Sequence, residues 1–264
     1  MTEQEGSSLQ ELEEKSLYLL REARARFKNL AALWSTGKDS TVLVALARKA
    51  FFGKVPFPLI HIDNGIDFPE TYEFRGRLGK EWDLDVLVSR SEIKDDLSGI
   101  RCCGANKTDA LKKLFDERKF DGLFVSIRRD EHGIRGKERY FSPRDEAFRW
   151  NYQDQSPEIW DFISQEESAS HMRIHPLLHW TELDMWLYIQ QEGIPVNPLY
   201  FSRNGERYRS LGCTQCTVGI ESKAATIDEI IEELQTTTTS ERAGRMQDKE
   251  QEHVMQRLRA LGYM

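Results

Sequence analysis

The sequence predicts an α/β protein built on a doubly wound, mostly parallel sheet, and two patterns predict it. Short aliphatic runs bounded by turn residues alternate with longer stretches of helical spacing along most of the 264 residues. That order gives parallel strands joined by crossover helices. Polar residues suited to holding a ligand, Ser35, Asp63 and Arg128, each stand at or just past the end of one of those runs. Ligands in such sheets bind outside the carboxyl ends of the strands.

Taken in order, residues 8–27 place Leu9, Leu12, Leu17, Leu19 and Leu20 among Glu, Lys and Arg, and read as an opening helix that packs on the sheet. Residues 30–34 are too short for a helix and read as a buried strand, followed by a helix over 41–47. Residues 59–63 form a second strand ending in a carboxylate. A helix over 69–80 has Pro69 in its first turn, where the missing N–H does no harm. Strand 86–88, helix 108–118, strand 122–127, strand 172–174 and helix 181–191 continue the alternation. Residues 128–165 read as polar and irregular, 203–209 as a basic connector, 227–234 as a short helix and 247–261 as a closing helix. The chain is expected to divide into a nucleotide-binding α/β unit, residues 1–205, and a cysteine-bearing helical tail, residues 206–264, that packs on the site.

A formal net charge of −7 argues against unaided binding to nucleic acid, because that affinity rests largely on Lys and Arg contacts to phosphates. No apolar run approaches the roughly 20 residues of a spanning helix, and the acidic start Met1-Thr2-Glu3-Gln4-Glu5 is not a signal peptide. The expected location is the cytoplasm, where the four cysteines stay reduced and metal binding or catalysis outranks disulfides.

Ser35-Thr36-Gly37-Lys38-Asp39-Ser40 lies between the first strand and its helix. Such a turn aims backbone N–H groups and a positive dipole end at a phosphate. Ser35, Ser40 and Thr41 add hydroxyls and Lys38 a point charge. The Walker A pattern fails twice, with Ala32 five positions before Gly37 and Asp39 after Lys38. The stretch resembles instead the S-x-G-K-D-S loop of the N-type ATP pyrophosphatases, which implies binding of terminal phosphates and cleavage between the α and β phosphorus atoms.

Asp63-Asn64-Gly65 suits either a turn or a carboxylate that holds Mg²⁺ beside a nucleotide. Arg128-Arg129 follows a strand, and guanidinium forks bind oxyanions bidentately. Lys137, Arg139, Arg144 and Arg149 read as a solvated salt-bridge face. His61 reads as a satisfied core histidine, and Pro176 breaks any helical pairing of His175 with His179. The cysteines are Cys102-Cys103 and Cys213-x-x-Cys216. They read first as ligands of a [4Fe–4S] cluster, which tolerates a vicinal pair, then as a zinc site, then as buried inert thiols.

Together, residues 35–40, Asp63-Asn64-Gly65 with Phe68-Pro69-Glu70-Thr71, Arg128-Arg129-Asp130-Glu131 and residues 239–245 resemble the PAPS reductase/sulfate adenylyltransferase small-subunit superfamily. The resemblance implies an adenine-nucleotide α-hydrolase fold, ATP with Mg²⁺, and transfer of AMP to an oxyanion with release of pyrophosphate. The cysteine set resembles the cluster ligands of adenylylsulfate reductases, but no cysteine follows Cys216, and thiosulfonate chemistry by that route is not expected. The combination of traits resembles the ATP-pyrophosphatase component of DNA phosphorothioation systems of the Dnd and Ssp types. That resemblance implies a cysteine desulfurase as partner and DNA reached through partners.

The reading is therefore an ATP pyrophosphatase in a sulfur-transfer pathway, most consistent with DNA phosphorothioation. Ser35, Thr36, Gly37, Lys38 and Ser40 would hold the β and γ phosphates, and Asp39 and Asp63 would position Mg²⁺. Arg128, with Arg129, would face the α-phosphate or acceptor. One alternative is a sulfate adenylyltransferase small subunit working with a GTPase large subunit. Another is a non-catalytic iron–sulfur scaffold that docks a desulfurase, and tRNA or a small molecule also stays open as acceptor.

Overall fold

The computed structural model describes residues 3–90, 100–131, 133–150 and 169–241, side chains at 3–7, 100–106 and 133–134 excepted. The expected helix over 247–261 and part of the irregular stretch, residues 151–168, lie outside the described residues. The elements are α1 (Glu3–Arg26), β1 (Leu30–Leu33), α2 (Lys38–Ala50), β2 (Leu59–Asp63), α3 (Pro69–Glu81), β3 (Val86–Arg90), α4 (Ile100–Arg118), β4 (Gly122–Phe124), β5 (Phe141–Arg144) and β6 (His171–Ile174). There follow α5 (Glu182–Glu192), a 3₁₀ turn (Pro198–Tyr200), β7 (Glu206–Arg207), β8 (Ile220–Glu221) and α6 (Ile227–Thr236).

Six strands form one sheet in the order β3-β2-β1-β4-β6-β5. All pairs are parallel except β5 with β6. The chain builds β1, β2 and β3 outward in one direction, then returns to lay β4 on the other side of β1. That reversal opens a crevice at the carboxyl ends of β1 and β4, where a doubly wound sheet takes its ligand. One face of the sheet is covered by the large core of α1, α2, α3, α5 and α6, including Leu20, Val42, Phe74, Trp186 and Ile230. A smaller core on the other face joins Ala31, Ile60 and Leu123 to Leu111 and Phe115 of α4. Close approach at the β1–β4 pair requires Gly122, because a Cβ there would sit 2.5 Å from Leu30 Cδ2 and 3.1 Å from Phe27 Cγ. Thr181 and Thr226 open α5 and α6 with reciprocal capping boxes.

Several boundaries differ from the sequence expectation. The helix after β1 begins at Lys38 rather than 41, so Lys38, Asp39 and Ser40 are its first turn. The helix expected over 108–118 begins at Ile100, which puts Cys102 and Cys103 on α4. The strand expected over 122–127 ends at Phe124, although the Val125 N–H still bonds Ile174 O at 2.9 Å.

The stretch read as irregular contains β5. It was hidden because Pro143 and Arg144 are poor strand signals, and proline is tolerated only at an edge such as this one. Arg144 is likewise not on a solvated face. It is buried, and its NH2 donates to Glu138 at 2.7 Å. Among the described residues, no helix is long and apolar enough to cross a membrane.

Candidate active site

Trp34 leads from β1 into the loop, and Thr36 adopts φ 63°, a left-handed conformation that costs a non-glycine residue on the order of 1–3 kcal/mol. The Thr36 hydroxyl offsets some of that cost by donating to Ser35 O at 2.6 Å. Gly37 caps α2 without a side chain, and so leaves the first-turn N–H groups of Asp39 and Ser40 uncapped beside the crevice. A Cβ on Gly37 would lie 3.3 Å from both Ser35 Oγ and Tyr200 Oη. Ser40 Oγ donates to Gly37 O at 3.0 Å and lies 3.2 Å from Ser35 Oγ, so the two hydroxyls hold the loop together. The Lys38 N–H donates to Tyr200 Oη at 2.8 Å.

Two buried cations meet in this crevice. Lys38 is 1% exposed and Arg128 0%. Lys38 Nζ bonds Glu241 and lies 3.3 Å from Asp39. The guanidinium of Arg128 bonds Asp39 through NH1 and Glu241 through NH2, and its Nε donates to Asp130 at 3.0 Å. Burial works against the charge on Lys38, but Asp39 and Glu241 outweigh it and hold the ammonium above its ordinary pKa. Burial likewise opposes ionisation of Glu241, yet Lys38 and Arg128 pull its carboxyl down to about 2. Burial pushes the Asp39 carboxyl up against the pull of Arg128 and Lys38, in a region where charges interact more strongly than in water.

A cavity of about 330 Å³ opens on this network and runs along the strand ends, lined by Ser35, Asp39, Ile62, Lys107, Ser126 and Cys216 among others. Its size suits a nucleotide-scale ligand. The predicted residues Ser35, Gly37, Lys38, Asp39 and Ser40 line it, and Arg128 stands on Asp39 at its wall.

Asp63 holds the turn that follows β2. Its Oδ1 accepts from the Gly65 N–H at 2.8 Å and from the Tyr72 hydroxyl at 2.9 Å. Arg129 turns away from the crevice, donating to Glu138 O and lying 2.8 Å from His179 Nε2. His61 is satisfied on one side only. Nδ1 lies 3.0 Å from Trp34 O, while Nε2 has no hydrogen-bond partner. Burial lowers the pKa of His61 to about 4, so the ring is neutral.

Cys213 and Cys216 are buried with their sulfurs 3.2 Å apart. Their loop is clamped to the β2–α3 loop by Thr214, whose N–H and hydroxyl both bond Ile66 O. A C-x-x-C turn of this kind offers two soft ligands from one side. Among the described residues no group of three or more His, Cys, Asp or Glu side chains could hold a metal ion, and the side chains of Cys102 and Cys103 lie outside them.

Sequence reasoning assigned no role to Tyr200, Glu241 or Asp130. Residues 239–245 marked a family motif, and that was the only signal for Glu241. Asp130 had the same kind of signal, in the motif at residues 128–131, and Tyr200 had none.

The model of the phosphoadenosine phosphosulfate reductase domain matches residues 29–219. Proteins named sulfate adenylyltransferase subunit 2 from Zymomonas mobilis and Photorhabdus laumondii are each 39% identical, covering 100% of this chain and 100% of their own. The Zymomonas alignment spans 301 positions, more than this chain has residues, so that relative carries insertions absent here. Among solved structures, yeast FAD synthetase in complex with FAD superposes with a TM-score of 0.60 at 16% identity, covering 93% of each chain. A PAPS reductase from Candida auris gives 0.53 at 17%, covering 83% of this chain and 98% of that one. These two likenesses concern the fold, which is the adenine-nucleotide α-hydrolase type expected. On the span of the domain match and the identity of its relatives, this chain belongs to the phosphoadenosine phosphosulfate reductase domain family.

Proposed function

We propose that the chain is an ATP-dependent adenylyltransferase whose acceptor is sulfate. A sulfate oxygen would attack the α-phosphorus of ATP, forming adenylylsulfate as the bond to the β-phosphate oxygen breaks and pyrophosphate leaves. The observation that carries this reading is the convergence of Lys38 and Arg128, both fully buried, beside the uncapped first turn of α2. Two fixed cations and open amides suit the charge of a departing pyrophosphate. Ser35, Thr36, Gly37, Lys38 and Ser40 would hold the β and γ phosphates, and Arg128 the α-phosphate or sulfate. Catalysis would then be positioning and charge stabilisation. Mg²⁺ would be held by Asp39, with Asp63 contributing only after giving up its turn contacts, and would neutralise phosphate charge.

Sulfate is preferred over a DNA phosphate because the 39%-identical relatives carry the sulfate adenylyltransferase name. Their designation as subunit 2 supports a large-subunit partner here as well. We also propose that the division near residue 205 separates nucleotide binding from a tail that closes on the site. Incubation with α-labelled ATP, Mg²⁺ and sulfate tests the reading, with and without a large subunit. Adenylylsulfate and pyrophosphate are expected, and ADP with phosphate would overturn it.

A second reading, sulfur transfer to a DNA phosphate with a cysteine desulfurase, draws support from the paired thiols of Cys213 and Cys216, the second of which lines the cavity. With Cys102 and Cys103 they would hold a [4Fe–4S] cluster, supplying thiolate ligands from two segments. Anaerobically purified protein would then absorb visible light and lose that absorption in Cys216→Ser. Pyrophosphate release that ignores sulfate but needs nicked DNA and a desulfurase would favour this reading over the first.

A further inference from the structure

Glu241 occupies the place that the proposed function gives to an oxyanion. Its two carboxylate oxygens are divided between Lys38 and Arg128, the pair that the proposed function assigns to phosphate. The side chain is 6% exposed and reaches the loop from 203 residues away in sequence. A separate set of contacts holds the segment that carries it. Arg209 NH1 donates to Thr239 O at 2.7 Å, while its Nε and NH2 grip Glu182 at 3.0 and 2.7 Å. The Glu182 N–H donates to Asp130 Oδ2 at 2.8 Å, and Asp130 Oδ1 accepts from Arg128 Nε. The latch and the plug therefore close into one hydrogen-bonded ring around the crevice.

The cations in the crevice are already more than matched. Lys38 and Arg128 face three carboxylates, Asp39, Asp130 and Glu241. A polyphosphate arriving beside them would leave the Glu241 carboxylate buried next to like charge, and an uncompensated buried charge is strongly destabilising. The two anions cannot share the seat. Asp39 and Asp130 are less able to leave, since each is adjacent in sequence to a cation or bonded to the α5 amide. Glu241 lies beyond the end of α6, on a segment that the Arg209–Thr239 bond holds in place.

We infer that Glu241 is a built-in competitor of the phosphate ligand, so that polyphosphate binding and docking of residues 237–241 exclude one another. This rests on the reading of residues 35–40 as the phosphate loop. Its consequence is an affinity reduced by the fraction of molecules with Glu241 displaced. A plug-free state populated at 0.1–10% lowers apparent affinity by about ten- to a thousandfold.

The test is calorimetric titration of the full chain with magnesium pyrophosphate, comparing wild type, Glu241→Gln and Arg209→Lys. Glu241→Gln keeps the shape and removes the competing charge, and should bind about tenfold tighter or more. Arg209→Lys keeps a cation for Glu182, loses the fork that also holds Thr239, and should shift affinity the same way by a smaller factor. The second variant decides the matter should the first fail to fold. Wild type that binds pyrophosphate while neither variant binds tighter overturns the inference and leaves the phosphate loop standing. Failure of all three to bind overturns the phosphate-loop reading and the inference together.

Discussion

The backbone N–H of Lys38 donates to the hydroxyl of Tyr200 at 2.8 Å, across 162 residues of sequence. This bond ties the loop before α2 to the 3₁₀ turn after α5, and it takes up a helix-start donor that glycine at the cap cannot satisfy. Tyr200 is itself buried, and burial pushes its hydroxyl pKa up to about 12, so it stays protonated. Tyr200→Phe should destabilise the protein by about 1–3 kcal/mol, the cost of a buried donor left without a partner. Urea denaturation measures that loss. Magnesium pyrophosphate should narrow the deficit, because a phosphate oxygen can accept from the freed N–H.

Lys38→Met and Arg128→Lys should each lower adenylyl transfer by roughly 10²–10³-fold, the range seen when one fixed electrostatic donor is removed. The two variants differ in their reason. Methionine removes a charge from the loop, whereas lysine keeps the charge of Arg128 and cannot reach Asp39, Asp130 and Glu241 together. Pyrophosphate release from labelled ATP is the readout.

Gly122→Ala should cost about 1–3 kcal/mol through overpacking. The added Cβ meets the side chains of Leu30, Phe27 and Ile174 beside the β1–β4 pair, and these must shift within a packed core to make room for it. The midpoint of chemical denaturation should fall with an unchanged slope.

Acid should destabilise the fold well above the carboxylate range. His61, His171 and His175 are at most 2% exposed, and burial lowers each pKa to about 4. Unfolded, each takes a proton near pH 6.5. The unfolded chain therefore binds protons first as pH falls. Stability is complete above about 6.5 and declines until about pH 4 is passed. Summed over three groups, the drop from pH 7 to pH 5.5 is roughly 3–4 kcal/mol. Denaturation series at those two pH values check it. Replacing His171 with Asn should remove about a third of the slope.

The sequence by itself determined the alternation of strands and helices, the turn at residues 35–40 and the place of Arg128 a few residues past β4. Each depends on local signals: aliphatic period, turn chemistry, and a charged residue directly after a run. For the same reason it missed β5, whose Pro143 and Arg144 deny the local signal while an edge position permits the strand. It also placed Asp63 and Arg129 with the site, where packing directs Asp63 to the Gly65 N–H and Arg129 to Glu138 O. Only the tertiary structure decided that Glu241 lies on Lys38 and Arg128, that Tyr200 seals the start of α2, and that Cys216 borders the same cavity. Those are contacts between residues distant in sequence. Charge pairing and burial settle them once the sheet has folded, and neither leaves a mark on the neighbouring residues of the chain.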